Sequence, residues 1–256
     1  MEEAGKERLR PFRRLFTRVE ALGLYLVSGF LVCGVVVLLF GVLAREVFRT
    51  PDTRAFDREV TLAMRELQGP ENDRIARIVT LFGGHFFVIP ATLVVTAALW
   101  LKHHWASALL FAGCVVGGFG LNALLKIAFA RERPDLWPAL VTEVTYSFPS
   151  GHATMATVFF GAAAAVVLHL SRNPIARGLA LVLATTASLM VAASRVYLGA
   201  HWTTDVAGGV LVGLFWVSVC STGTGYVSRR IARSVPGETP APAAGASGGS
   251  SPGASA

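Results

Sequence analysis

Val191 to Asp205 reads V-A-A-S-R-V-Y-L-G-A-H-W-T-T-D, an arginine, a histidine and an aspartate set among apolar runs. Charged and titratable groups beside segments this apolar are costly to keep and mark function. His201 and Asp205 are four apart, so they share one face of a turn if the segment entering Val206 is helical. Asp205 then takes the proton of one imidazole nitrogen, which fixes the tautomer and leaves a free lone pair on the other. Arg195, across the short V-Y-L-G-A connection, offers a planar fork of donors suited to a tetrahedral oxyanion. The same His/Asp spacing also serves purely structural pairs, and the rest of the chain has to decide between the two.

The composition narrows the class. The 256 residues are 53% hydrophobic and only 15% charged, and the mean hydropathy is +0.56. Soluble domains carry about a quarter charged residues, so this is a membrane protein. A net charge of +7 raises the question of nucleic acid. The basic residues fall in clusters flanking apolar runs rather than on one domain face, which points to anionic lipid and away from nucleic acid. Cys33, Cys114 and Cys220 lie inside apolar runs without paired or metal-ligand spacing, so neither a disulfide nor zinc is expected.

Taken in order, residues 1–20 form a basic cytoplasmic segment with Lys6, Arg8, Arg10, Arg13, Arg14 and Arg18. The apolar run Ala21–Ala44 is long enough to span a bilayer, and with no small-residue cleavage site after it, it reads as an uncleaved anchor. Between Arg45 and Arg77 charges of both signs alternate, while Phe56, Val60, Met64 and Leu67 recur on one helical face; this predicts a short amphipathic helix along the membrane surface or a solvated loop helix. Five more apolar segments follow, at about Ile78–Leu101, Trp105–Ile127, His152–Leu170, Ile175–Val196 and Trp202–Tyr226. The expected fold is therefore an all-α integral membrane protein, a six-transmembrane-helix bundle with an interfacial helix between spans one and two. Residues 21–228 form the membrane domain, and 229–256 form a basic then disordered Ala/Gly/Ser/Pro tail. Six spans put both termini on one side. With that side inside, inner segments hold 12 of the 23 Lys and Arg, and the dense N-terminal cluster tips the orientation towards cytoplasmic termini.

Two other polar groups stand at span ends. Lys126 and Arg133 close the third span in K-I-A-F-A-R-E-R-P, where Pro134 turns the chain; they serve either as snorkelling flanks or as an anion clamp. Ser150, Gly151 and His152 open the fourth span, as a plain N-cap or as a hydroxyl and free backbone N–H groups for an anion. Parity favours function. In a six-span chain the end of span three, the start of four, the end of five and the start of six share one face, and these places hold Lys126/Arg133, Ser150/His152, Ser194/Arg195 and His201/Asp205. Four separate polar clusters on one face are not chance flanking charge. Glu132, Asp135 and Glu143 read as solvated loop carboxylates or as groups that shape headgroup choice, Trp137, Trp202 and Phe148 as interface aromatics, and His85 as a packing residue or a lining of the pocket.

Together these residues resemble the type 2 phosphatidic acid phosphatases, or lipid phosphate phosphatases. The family's three-part signature is present as K-x6-R-P at Lys126, Arg133 and Pro134, P-S-G-H at Pro149 to His152, and S-R-x5-H-x3-D at Ser194, Arg195, His201 and Asp205. The six-span plan and the F-D-R-E-V stretch at Phe56–Val60 are also similar. The resemblance implies that His201 attacks phosphorus with Asp205 orienting it, and that His152 protonates the leaving oxygen and then activates water. Lys126, Arg133, Ser150, Gly151, Ser194 and Arg195 would bind the phosphate oxygens, with no metal and no cofactor. The expected activity is metal-independent removal of a terminal phosphate from a lipid phosphate or diphosphate such as undecaprenyl diphosphate, phosphatidylglycerol phosphate or phosphatidate. The expected location is a bacterial inner membrane, with the site at the periplasmic face. A phosphotransferase using the same phosphohistidine, and a catalytically dead lipid-binding protein, are the alternatives.

Overall fold

The computed structural model describes residues 2–141 and 143–234, with side chains described between residues 26 and 223. Among the described residues there are eight helices and no strand: α1 (Glu2–Arg49), α2 (Pro51–Glu66), α3 (Pro70–Leu81), α4 (His85–Leu101), α5 (Trp105–Phe129), α6 (Gly151–Leu170), α7 (Pro174–Tyr197) and α8 (Thr203–Ser234). Proline opens α2, α3 and α7, where its missing N–H costs nothing and its fixed φ suits a first turn. Asn173 caps α7, its Oδ1 accepting the Ile175 N–H at 2.9 Å.

Among the described residues five stretches are long and apolar enough to cross a membrane: Leu26–Arg49, Trp105–Phe129, Gly151–Leu170, Pro174–Tyr197 and Thr203–Gly223. Their outward faces carry Phe30, Leu38, Leu109, Val116, Leu124 and Val182, all at least half exposed. Apolar surface on this scale suits a lipid solvent. Inside the bundle, hydroxyls bond their own helix: Thr92 Oγ1 to Val88 O at 2.6 Å, Thr157 Oγ1 to Ala153 O at 2.8 Å and Ser188 Oγ to Ala184 O at 2.7 Å. That satisfies donors where water is absent.

One expected span is broken in two. The stretch Ile78–Leu101 breaks between Leu81 and His85, and α3 and α4 meet there at 43°. At Gly83 a Cβ would lie 2.6 Å from both His152 O and Val191 Cγ1, so the elbow presses against the first turn of α6 and the flank of α7. The amphipathic stretch expected between Arg45 and Arg77 holds α2 and the first part of α3, and α1 is helical from Glu2 through the basic segment. The tail expected to be disordered lies, from residue 235 on, outside the described residues.

Helix α6 is the axis of the bundle. Val158, Phe159 and Ala162 pack with Val88 of α4 and Phe111, Cys114 and Val115 of α5. Trp216 of α8 donates Nε1–H to Cys114 O at 2.8 Å. On the other side α8 lies against α6 through small residues: a Cβ on Gly209 would stand 2.6 Å from Ser150 O, and one on Gly213 would stand 2.6 Å from Thr157 Cβ. Such backbone approach is what holds helices together where apolar burial gives little advantage over lipid. Phe148, expected as an interface aromatic, is fully buried in a cluster with Phe40, Phe48 and Phe129, tying α1 and the end of α5 to the entry of α6.

The α6–α8 contact makes a direct prediction. Gly209→Val forces extra volume against backbone and is expected to lower stability by about 1–3 kcal/mol or more, read as a drop in melting temperature in detergent. Gly113→Ala on α5, with nothing within 4 Å of the added Cβ, is expected to leave the melt unchanged or raise it. Equal effects of the two substitutions would show that the helices are not close-packed at Gly209.

Candidate active site

The break after α5 starts a 21-residue connection, residues 130–150, that returns to α6, and a five-residue one, 198–202, joins α7 to α8. Both sit at one end of the bundle. Between the first of them, α5, the entry of α6 and the α3–α4 elbow lies a cavity of about 970 Å³ lined by Lys126, Arg133, Glu143, Gly151, His152 and His85 among others. His85 therefore lines the cavity.

The loop is fastened by the two cations that the sequence singled out. Lys126 Nζ donates to Thr145 Oγ1 at 3.2 Å and to Tyr146 O. Arg133 donates Nε–H to Thr145 O at 2.7 Å and Nη1–H to Ala200 O at 2.7 Å, so one guanidinium spans both connections. Its Nη1 also lies 3.2 Å from His201 Nε2. Burial lowers the pKa of Arg133, with Glu143 and Asp205 pulling it back up.

His201 is 1% exposed in the turn before α8. Its Nδ1 lies 3.3 Å from Ser147 Oγ and 3.6 Å from Asp205 Oδ2, and Ser147 Oγ in turn donates to Asp205 Oδ2. The His/Asp pair expected from spacing is thus bridged by a serine hydroxyl. With Arg133 donating towards Nε2 and two acceptors beside Nδ1, the proton belongs on Nδ1 and the lone pair on Nε2. Burial pushes the His201 imidazole down from 6.5 to about 3, against the pull of Asp205, so the ring is neutral at physiological pH.

Asp205 is fully buried at the third residue of α8. Besides Ser147, its Oδ2 accepts the Trp202 N–H at 2.9 Å, and its backbone O accepts the Ser150 N–H at 2.9 Å. The two helix entries that carry the site are therefore bonded to each other. At the start of α6, Ser150 Oγ is buried without a partner, and the free N–H groups of a first turn lie beside it. Asn122 holds this entry, donating to Thr154 Oγ1 at 3.0 Å.

Arg195 is 1% exposed and donates Nη1–H to Thr80 Oγ1 at 2.8 Å, while Nη2 pairs with Glu143 Oε1. The Glu143 carboxylate also stands 3.7 Å from Arg133 Nη2 and 3.7 Å from His152 Nδ1. A loop carboxylate thus sits among the cations, where an anionic ligand would. Ser194 departs from expectation: its Oγ donates to Val191 O at 2.7 Å, and it lines a separate cavity beside Met64, Leu67 and Tyr197. The structure brings together Lys126, Arg133, Gly151, His152, Arg195, His201 and Asp205, and turns Ser194 away.

Sequence inspection passed over Ser147, Asn122, Arg131, Thr204 and Asp57, and left the role of Glu143 open. Arg131 was visible two residues before Arg133, and Asp57 within F-D-R-E-V, but neither position says what it touches.

Cations, a neutral imidazole with an oriented lone pair, and a helix entry with free N–H groups are the kinds of group that bind a phosphate and stabilise charge moving onto its oxygens. Residues 107–229 match the PAP2 superfamily. Phosphatidylglycerophosphatase B of Bacillus subtilis is 29% identical over 177 residues, covering 69% of this chain and 87% of that protein. Decaprenylphosphoryl-5-phosphoribose phosphatase of Mycobacterium tuberculosis is 34% identical over 144 residues, covering 54% of this chain and 72% of that protein. The crystal structure of a transmembrane PAP2 type phosphatidylglycerolphosphate phosphatase from Bacillus subtilis superposes with a TM-score of 0.69 at 29% identity, covering 77% of this chain and 96% of that one. The chain belongs to the PAP2 superfamily, the type 2 phosphatidic acid phosphatases. It is an integral membrane lipid phosphatase.

Two measurements test this geometry. Unfolded histidine takes a proton near 6.5 and folded His201 only near 3. Stability is therefore full above about pH 6.5 and falls, by up to about 1.4 kcal/mol per pH unit, as pH drops towards 3. The melting temperature is expected to decline from pH 6.5 to 4.5, less steeply in His201→Asn; an unchanged slope would mean that the folded ring protonates freely. Because Glu143 holds Arg195, Glu143→Gln is expected to tighten inhibition by orthophosphate about two- to tenfold; an unchanged inhibition constant would show that the carboxylate does not compete.

Proposed function

We propose that the protein removes a terminal phosphate from a lipid phosphate or diphosphate through a phosphohistidine on His201, without a metal ion. The observation that carries this is the buried His201 ring, with Nδ1 against Ser147 and Asp205 and Nε2 facing Arg133. Nε2 forms a bond to phosphorus as the bond from phosphorus to the lipid oxygen breaks, and His152 gives that oxygen its proton. Water then attacks phosphorus, returns a proton to His152, and releases orthophosphate and neutral His201. Lys126, Arg133, Arg195, the Ser150 hydroxyl and the Gly151 backbone N–H hold the phosphate oxygens once Glu143 yields its place. Ser194, bonded to its own helix, is left out of this set. A cavity of about 720 Å³ between α4 and α5, almost wholly apolar, reaches the site at Phe119 and suits an acyl or prenyl chain.

The topology that fits this chemistry has six crossings, with α3 and α4 together forming one broken span and α2 lying at the interface, its Phe56 and Leu62 outward. Both termini are then cytoplasmic and the site is periplasmic, in a bacterial inner membrane. The names of the relatives, a phosphatidylglycerophosphatase and a decaprenylphosphoryl-5-phosphoribose phosphatase, support lipid phosphates as substrates. Polyprenyl diphosphate, phosphatidylglycerol phosphate and phosphatidate are the substrates to try.

Detergent-purified protein is expected to release orthophosphate from at least one of these three lipids with chelator present, and His201→Ala to reduce the rate about a thousandfold or more. Loss of activity on chelation would overturn the metal-independent mechanism. A phosphorylated alcohol acceptor in place of free phosphate would make the protein a transferase using the same intermediate.

A further inference from the structure

Asp57 lies on α2, on a different helix from every residue of the signature, and is 1% exposed. Both of its oxygens are in use: Oδ1 accepts the Thr204 N–H at 2.9 Å, and Oδ2 accepts Thr204 Oγ1 at 2.6 Å and Arg131 Nη2 at 2.8 Å. Arg131 turns its other arm to Asp205, Nη1 donating to Oδ1 at 2.6 Å and to Thr204 Oγ1 at 2.8 Å. One guanidinium thus lies between two buried carboxylates, one of which stands behind His201. Arg131 borders the cavity, and both of its terminal nitrogens are committed to Asp57, Thr204 and Asp205.

The bridge has two physical consequences. Asp205 receives Arg131 on Oδ1 and Trp202 and Ser147 on Oδ2, so the plane of its carboxylate is fixed, and with it the face offered to His201. The second consequence is charge. Arg131 paired with Asp205 alone would cancel the negative field that stabilises the cationic ring formed when Nε2 bonds to phosphorus. Asp57 returns the group of three to a net charge of −1. Asp57 also caps α8 from outside, at a helix N-terminus that favours a carboxylate, which sets the turn holding His201.

We propose that Asp57 and Arg131 are positioning residues for phosphoryl transfer, holding the Asp205 carboxylate in place and keeping negative charge behind His201. This rests on the assignment of His201 as the nucleophile. It predicts a loss in the chemical step with substrate binding intact, because both residues act through Asp205.

The test compares wild type, D57N, R131M, R131K, the D57N/R131M double variant and His201→Ala on the lipid phosphate that wild type hydrolyses best. D57N and R131M are expected to lower kcat about 10- to 100-fold, the cost of losing a group that orients a reactive ligand, with KM within about twofold. R131K, which keeps the charge and loses the fork, should recover part of that loss. The double variant should be no slower than about the worse single one, since the two act as a unit. Two outcomes overturn the proposal: kcat within twofold of wild type in D57N, or raised KM with additive losses, which marks plain destabilisation. Should D57N not fold, R131K and R131M decide by the same split. If His201→Ala still releases phosphate, the nucleophile assignment itself has failed; if it is inactive and D57N is fully active, only the positioning role falls.

Discussion

Asp205 is buried completely, and a carboxylate tolerates that only when charged and hydrogen-bonding partners surround it. Its partners come from both ends of the connection between α5 and α6 and from the turn before α8. Meeting its hydrogen-bonding needs brings two connections that are distant in sequence to one point. The backbone bond from Ser150 N to Asp205 O then sets the entry of α6 beside the entry of α8. Removing this carboxylate would leave Arg131 and Ser147 facing each other in a dry interior, so the fold at this end of the bundle and the chemistry draw on the same group.

The apolar body of the protein works under the opposite constraint. Lipid competes with helices for apolar contact, so α6 is held by small residues at close approach to α8, by a tryptophan indole bonded to a carbonyl of α5, and by hydroxyls satisfied within their own turns. Polar side chains that cannot be satisfied inside one helix gather at the end where the loops supply carbonyls. Lys126 and Arg133 illustrate the division: their stems leave the bundle and their donors fasten Thr145, Tyr146 and Ala200. A rigid cation cradle is ready before any phosphate arrives, which lowers the reorganisation needed when charge moves during transfer. Glu143 offsets part of the positive charge of that cradle.

Much of this was legible in the residues. Hydropathy located the apolar stretches, and parity placed Lys126, Ser150, Arg195 and His201 at one end, because an even number of crossings leaves little freedom about which ends meet. The break at Gly83 was not legible: a glycine pair inside an apolar run is common in membrane helices, and only the nearness of His152 and Val191 gives it a reason. Phe148 illustrates the reverse error. An aromatic at a span end suits an interface belt, yet three phenylalanines from α1 and α5 enclose it.

Sequence alone determined the solvent, the position of the apolar stretches and the family signature, since each depends on residue type and local spacing. Tertiary structure alone decided which donors meet which acceptors: that Ser147 stands between His201 and Asp205, that Ser194 turns back on its helix, that Glu143 enters the cradle, and that Asp57 reaches Arg131 from α2. Hydrogen bonds and ion pairs act over a few ångströms in space, and between residues as far apart in the chain as 57 and 205 no local pattern reports that distance.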